Sequence, residues 1–77
     1  MKCAIVIERA GKNYSAYVPD LPGCVATGRS RATVTRLIRE AMAMHIEGMR
    51  EDGLRVPRPS SHAAYVQASL SPRRKAG

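Results

Sequence analysis

Residues 30–52 read SRATVTRLIREAMAMHIEGMRED, and this stretch decides the fold. Val34, Leu37, Ile38, Ala41, His45, Gly48 and Met49 recur at steps of three and four residues. On a helix of 3.6 residues per turn such positions form a single stripe. Arg36, Arg39, Glu40, Ala43, Glu47 and Arg50 fall on the other side. The pattern predicts an amphipathic helix with one face to bury. Ser30 is placed to cap its start, because a hydroxyl there accepts a free amide of the first turn. Gly53 is placed to end it in a left-handed conformation. Arg36 and Glu40 can pair across one turn, a contribution of about 0.2–0.5 kcal/mol.

The stripe needs a surface to cover, and the residues before it supply one. KCAIVIE, residues 2–8, is a β-branched apolar run with both faces apolar, which predicts a strand near the middle of a sheet. Gly11-Lys12-Asn13 is a turn, and YSAYV, residues 14–18, is a second strand. Pro19 ends that strand because it brings no amide donor. Asp20-Leu21-Pro22-Gly23 forms a tight loop, with Gly23 free to take a positive φ. Cys24 to Gly28 is a third short strand.

Beyond the helix, Leu54 to Ser61 is a proline-stiffened connector. Ala64, Val66, Ala68 and Leu70 then alternate with Tyr65, Gln67 and Ser69, which reads as a half-buried fourth strand. The expected order is β-β-β-α-β, an α+β two-layer sandwich. Residues 1–71 are expected to form one domain, and residues 72–77 a disordered basic tail. One helix covers one sheet face. With the first strand apolar on both sides, the other face is expected to be shared with another copy. Ile5, Ile7, Met42 and Ile46 are the candidates for that homodimeric or higher-order contact.

The chain of 77 residues carries a net charge of +7, with thirteen Lys and Arg against six Asp and Glu. The excess lies in residues 53–77, which hold five basic and no acidic groups. Such a segment favours acidic partners or nucleic acid. No apolar run approaches the roughly 20 residues of a membrane span or the roughly 7–15 of a secretory signal. A soluble, cytoplasmic protein is expected. Cys3 and Cys24 lie in apolar stretches without metal-ligand spacing and read as buried thiols.

Chemistry finds little support in the sequence. RNase H-type cleavage needs convergent carboxylates holding two metals about 3.5–4 Å apart. Glu8, Asp20, Glu40, Glu47, Glu51 and Asp52 are the acidic residues, and no three of them converge by position. His45 sits within the apolar stripe and reads as a half-buried histidine rather than a general base. His62 lies in the connector, and the two do not make a zinc site. Asp20 reads as an Asx-type turn holding its loop, against a direct partner contact. No enzyme activity, metal or cofactor is expected.

Two segments carry a family resemblance. YSAYVPDLPGCVATGRS, residues 14–30, and EGMREDGLRVPRPS, residues 47–60, resemble the HicB-like antitoxins of type II bacterial toxin–antitoxin pairs. The shared features are an aromatic strand with Tyr17, the run Asp20, Pro22, Gly23 and Cys24 with Leu21 inside it, Gly28 four residues on, a capped helix, and Asp-Gly followed by Pro-x-Pro. The resemblance implies a partial RNase H-like fold. It also implies a partner, a small mRNA-cleaving toxin of HicA type, whose active site the antitoxin covers. Many relatives add a C-terminal DNA-binding module. The residues after Ser60 are too few for both a strand and such a module, so a short form without one is expected. Candidate partner contacts are Asp20, Arg55, Arg58, Arg73 and Arg74. The alternative is a stand-alone nucleic-acid-associated protein using its basic C-terminal segment, with Lys75 beside Arg73 and Arg74. Otherwise contact with nucleic acid would be indirect or weak.

Overall fold

The computed structural model describes residues 1–69. It contains β1 (Val6–Ala10), β2 (Asn13–Tyr17), β3 (Val25–Gly28) and α1 (Arg31–Glu51). The three strands form one antiparallel sheet in the order β1-β2-β3. The helix lies over β3 and β2 and leaves β1 as the less covered flank.

The helix follows its sequence pattern closely. Every stripe residue from Val34 to Met49 is buried or half-buried, and every residue assigned to the opposite side is exposed. Ser30 caps the start, its Oγ accepting the Thr33 amide at 3.0 Å. At the end, Gly53 turns left-handed at φ 71. The Gly53 amide donates to the Arg50 carbonyl at 3.1 Å, and the Leu54 amide donates to Met49 at 2.8 Å. Paired bonds of this kind satisfy carbonyls the helix would otherwise leave open. Arg36 and Glu40 form the predicted exposed pair at 3.4 Å.

Strand register sorts the sheet into two faces. Ile7, Ala16 and Ala26 are cross-strand neighbours, as are Arg9, Tyr14 and Gly28; both rows face the helix. The open face carries the rows Val6–Tyr17–Val25 and Glu8–Ser15–Thr27. Alternation along each strand makes this division unavoidable once the register is set. The core is Ala16, Val18, Leu21, Cys24, Val34 and Ile38. Gly28 brings β3 close under the helix start: a Cβ there would stand 3.0 Å from the Val34 amide nitrogen and 3.2 Å from Thr33 Cγ2.

Three expectations need correction. The first strand begins at Val6 rather than Lys2, because register would set Ala4 against Pro19, which has no amide to donate. It is an edge strand in this sheet, not a central one. The fourth strand is absent from its described part: residues 64–69 form no ladder and are exposed throughout, Tyr65 at 101% and Val66 at 90%. Ala64 and Ala68 offer little apolar area to offset the entropy of ordering the segment. Leu70, the strand's largest aliphatic residue, lies outside the described residues, as do Arg73, Arg74 and Lys75. The described residues thus follow the order β-β-β-α.

Candidate functional site

The loop between β2 and β3 is closed by its own backbone bonds. Val18 donates its amide to the Cys24 carbonyl at 3.1 Å, Leu21 to Val18 at 3.1 Å, and Cys24 to Leu21 at 3.0 Å. These bonds fold residues 18–24 into a knot that drives Leu21 into the core, where it is 0% exposed. Pro22 and Gly23 form the outward tip, with Gly23 at φ 84. Cys24 is buried behind it. Burial, and then the neighbouring Cys3 thiol, push the Cys24 thiol above its ordinary pKa, so it stays protonated at neutral pH. Sequence reasoning did not single out Leu21. The available signal was one large aliphatic residue among turn formers.

Asp20 does something no local rule foresees. Its carboxylate does not hold an Asx-type turn. It reaches across the surface to the connector, forty residues away. Oδ2 accepts the Ser60 amide at 3.1 Å and Oδ1 accepts the Ser60 hydroxyl at 3.0 Å. The Ser61 hydroxyl donates to Oδ1 at 2.9 Å, and the Ser61 amide is shared between both oxygens at 3.2 Å. Desolvation raises the pKa of Asp20, but the hydrogen bonds from Ser61 and Ser60 outweigh it and hold the carboxyl below its ordinary value. Hydrogen bonds to the ionised form have that effect. The clasp pins the connector, and Ser61, His62 and Ala63 then run beside Lys2, Cys3 and Ala4.

The four residues expected at a contact between copies all pack toward the protein's own core. Ile5 and Ile7 lie on the helix side of β1, and all four of Ile5, Ile7, Met42 and Ile46 are half-buried against the core. Ile5 and Met42 line one hollow between β1 and α1. The open face instead exposes one apolar row, with Tyr17 41% and Val25 65% accessible. It is neither bare and polar nor wholly apolar: Glu8, Ser15 and Thr27 border the row. Arg55 and Arg58 are exposed on the connector.

Catalytic groups do not gather. Among the described residues no group of three or more His, Cys, Asp or Glu could hold a metal ion. His45 is half-buried beside Cys24 and Val25 in a shallow hollow. His62 is exposed. No described helix is long and apolar enough to cross a membrane.

The described residues thus form a small antiparallel sheet capped by one helix, an α+β scaffold with a partly apolar open face. Comparison with known proteins makes this specific. Residues 3–70 match the family described as HicB_like antitoxin of bacterial toxin-antitoxin system, and the chain belongs to that family. It is 36% identical over 62 residues to an uncharacterised 14.9 kDa protein of Haemophilus phage HP1; the match covers 80% of this chain and 47% of that protein's length. It is 29% identical to a UPF0150 protein of Thermoplasma acidophilum, covering 88% of this chain and all of that protein. Among solved structures it is similar to a chain of the "HicA3 and HicB3 toxin-antitoxin complex". The TM-score there is 0.64 and the identity 31%, covering 74% of this chain and 67% of that one.

Proposed function

We propose that this protein is an antitoxin that binds a small HicA-type, mRNA-cleaving toxin and covers its active site. The observation that carries this reading is the likeness, at 31% identity and a TM-score of 0.64, to a chain from a toxin–antitoxin complex. It acts in the cytoplasm by binding rather than catalysis, as a homodimer or higher oligomer.

The open sheet face is the contact surface in this reading. Val6, Tyr17 and Val25 stand in one cross-strand row that the helix does not cover. Glu8, Ser15 and Thr27 give it a polar border. An apolar centre with a polar rim, and an aromatic residue at the centre, suits a protein partner. Asp20 acts at second hand, since its oxygens already hold Ser60 and Ser61.

Co-expression with a HicA-type toxin encoded beside this chain tests the reading. Tagged antitoxin should retain the toxin and relieve its growth arrest. Val25→Glu together with Tyr17→Glu should release the toxin while the helical circular dichroism signal persists. Absence of binding between the unaltered pair would refute the toxin reading.

A further inference from the structure

A cleft runs between β1 and α1, on the flank the helix leaves uncovered. Two hollows meet in it at Ile5. One is lined by Ile7, Arg9, Tyr14, Arg31 and Tyr65. The other includes Lys2, Arg39 and Met42. Lys2, Arg9, Arg31 and Arg39 are all exposed, and no acidic residue lines either hollow. The Arg36–Glu40 pair is the one ion pair among the described residues, so none of these four cations is neutralised there.

Arg31 stands where it costs the helix. It is the first helical residue, and the first turn holds no acidic residue. The macrodipole makes that end positive and favours carboxylates. A cation placed against the dipole adds to a positive field that a cleft with low-dielectric walls focuses. Tyr14 pairs with Gly28 across the sheet, so the hairpin tip with Lys12 lies beside Arg29 and the helix start. The same end of the molecule therefore gathers Arg9, Lys12, Arg29 and Arg31.

We infer that this cleft binds a single-stranded polynucleotide, its phosphates on Arg9, Arg31 and Arg39 and a base stacked on Tyr65. Charge opposes a symmetric pairing of two copies through this cleft, since two such clefts would repel. Aromatic rings among the cations favour nucleotides over an acidic peptide. The Arg9 guanidinium lies 5.7 Å from the Tyr14 ring centroid, within cation–π range. Tyr65 leaves its whole ring open. Stacking on such rings, combined with phosphate contacts, is how strands are held without base-specific readout. Arg31 and Arg39 lie about 12 Å apart along the helix axis, room for more than one nucleotide.

The test is fluorescence anisotropy of the full chain with a labelled 12-mer of oligouridine, across a salt series. Unaltered protein should bind, with affinity falling steeply as salt rises. Arg31→Glu with Arg39→Glu should weaken binding at least tenfold at low salt. It should also flatten the slope of log affinity against log salt by roughly 1.4, two contacts on a single strand. The glutamate at position 31 favours the helix, and an Arg31→Gln, Arg39→Gln pair guards against misfolding by charge reversal. Tyr65→Ala should weaken binding on the order of tenfold. Equal binding of oligothymidine supports recognition through phosphate and base. Full retention of binding in both double variants overturns the inference. So does loss of binding on changing only Arg73, Arg74 and Lys75 to alanine, or equal affinity for a 12-residue oligoglutamate.

Discussion

Two stretches of this chain look alike in sequence and behave as opposites. VPDLPGC, residues 18–24, and VPRPSSH, residues 56–62, each pair valine with two prolines and turn-forming residues. The first is folded in on itself by three backbone bonds and buries Leu21 completely. In the second, Val56 and Pro57 are half-buried and the rest is exposed; its polar attachment is the Asp20 carboxylate. Proline content therefore does not distinguish an ordered loop from a surface connector. The difference is a single aliphatic residue set between turn formers, with amides free to close around it.

Leu21→Ala should break this contrast most severely. Removing a fully buried leucine costs about 2–5 kcal/mol, a large part of the roughly 5–15 kcal/mol that holds a domain together. Urea denaturation should show the midpoint falling sharply or the fold lost. Gly28→Ala probes the adjoining contact between β3 and the helix start. The added methyl must displace backbone at 3.0 Å, at a cost of about 1–3 kcal/mol, read as a lower thermal midpoint. Ser30→Ala should cost about 1 kcal/mol, and Thr at that position should recover most of it.

Asp20→Asn sharpens the comparison from the other side. It should leave the denaturation midpoint close to that of the unaltered protein and expose the connector, so that limited proteolysis beyond Ser60 accelerates. Acid should do the same. The carboxyl is held below its ordinary value of 3.8, so the unfolded chain binds its proton first as pH falls. The clasp's contribution is complete above that value and disappears as pH drops through the lower folded one. Protection of Ser60 and Ser61 from cleavage should persist from neutrality to about pH 4 and fade below it. Loss of protection near pH 6 would contradict this assignment.

The helix was fully legible, from its Ser30 cap to its Gly53 stop, because its determinants lie within four residues of one another. The β2 and β3 strands were legible to within one residue for the same reason. The position of β1 was not. An apolar run reports that a strand is buried on both faces, but not which neighbours bury it, and here Ile5 and Ile7 border a cleft at a sheet edge. Alternation at residues 64–70 met the strand pattern, yet alternation of alanines carries little burial energy. Tyr17, Asp20, Pro22, Gly23, Cys24 and Gly28 stand together in the sequence as one motif, carried by the family resemblance. The role of Asp20 was hidden because its partners lie forty residues away. Arg9, Arg31 and Arg39 are exposed charges that no motif or periodicity in the sequence links. Only the folded chain sets Arg9 and Arg31 along one hollow and Arg39 along the adjoining one, although Arg31 against the dipole was a visible anomaly.

The Asp20 contact closes a ring that contains the third strand and the whole helix within it. Five short bonds at one carboxylate act as a removable staple. Tension on the polypeptide beyond Ser61 would reach the core through Asp20 and its neighbour Leu21 before it reached the end of the helix. A pull on the chain past this contact would thus bear on Leu21, which is fully buried, by a route that skips the intervening residues.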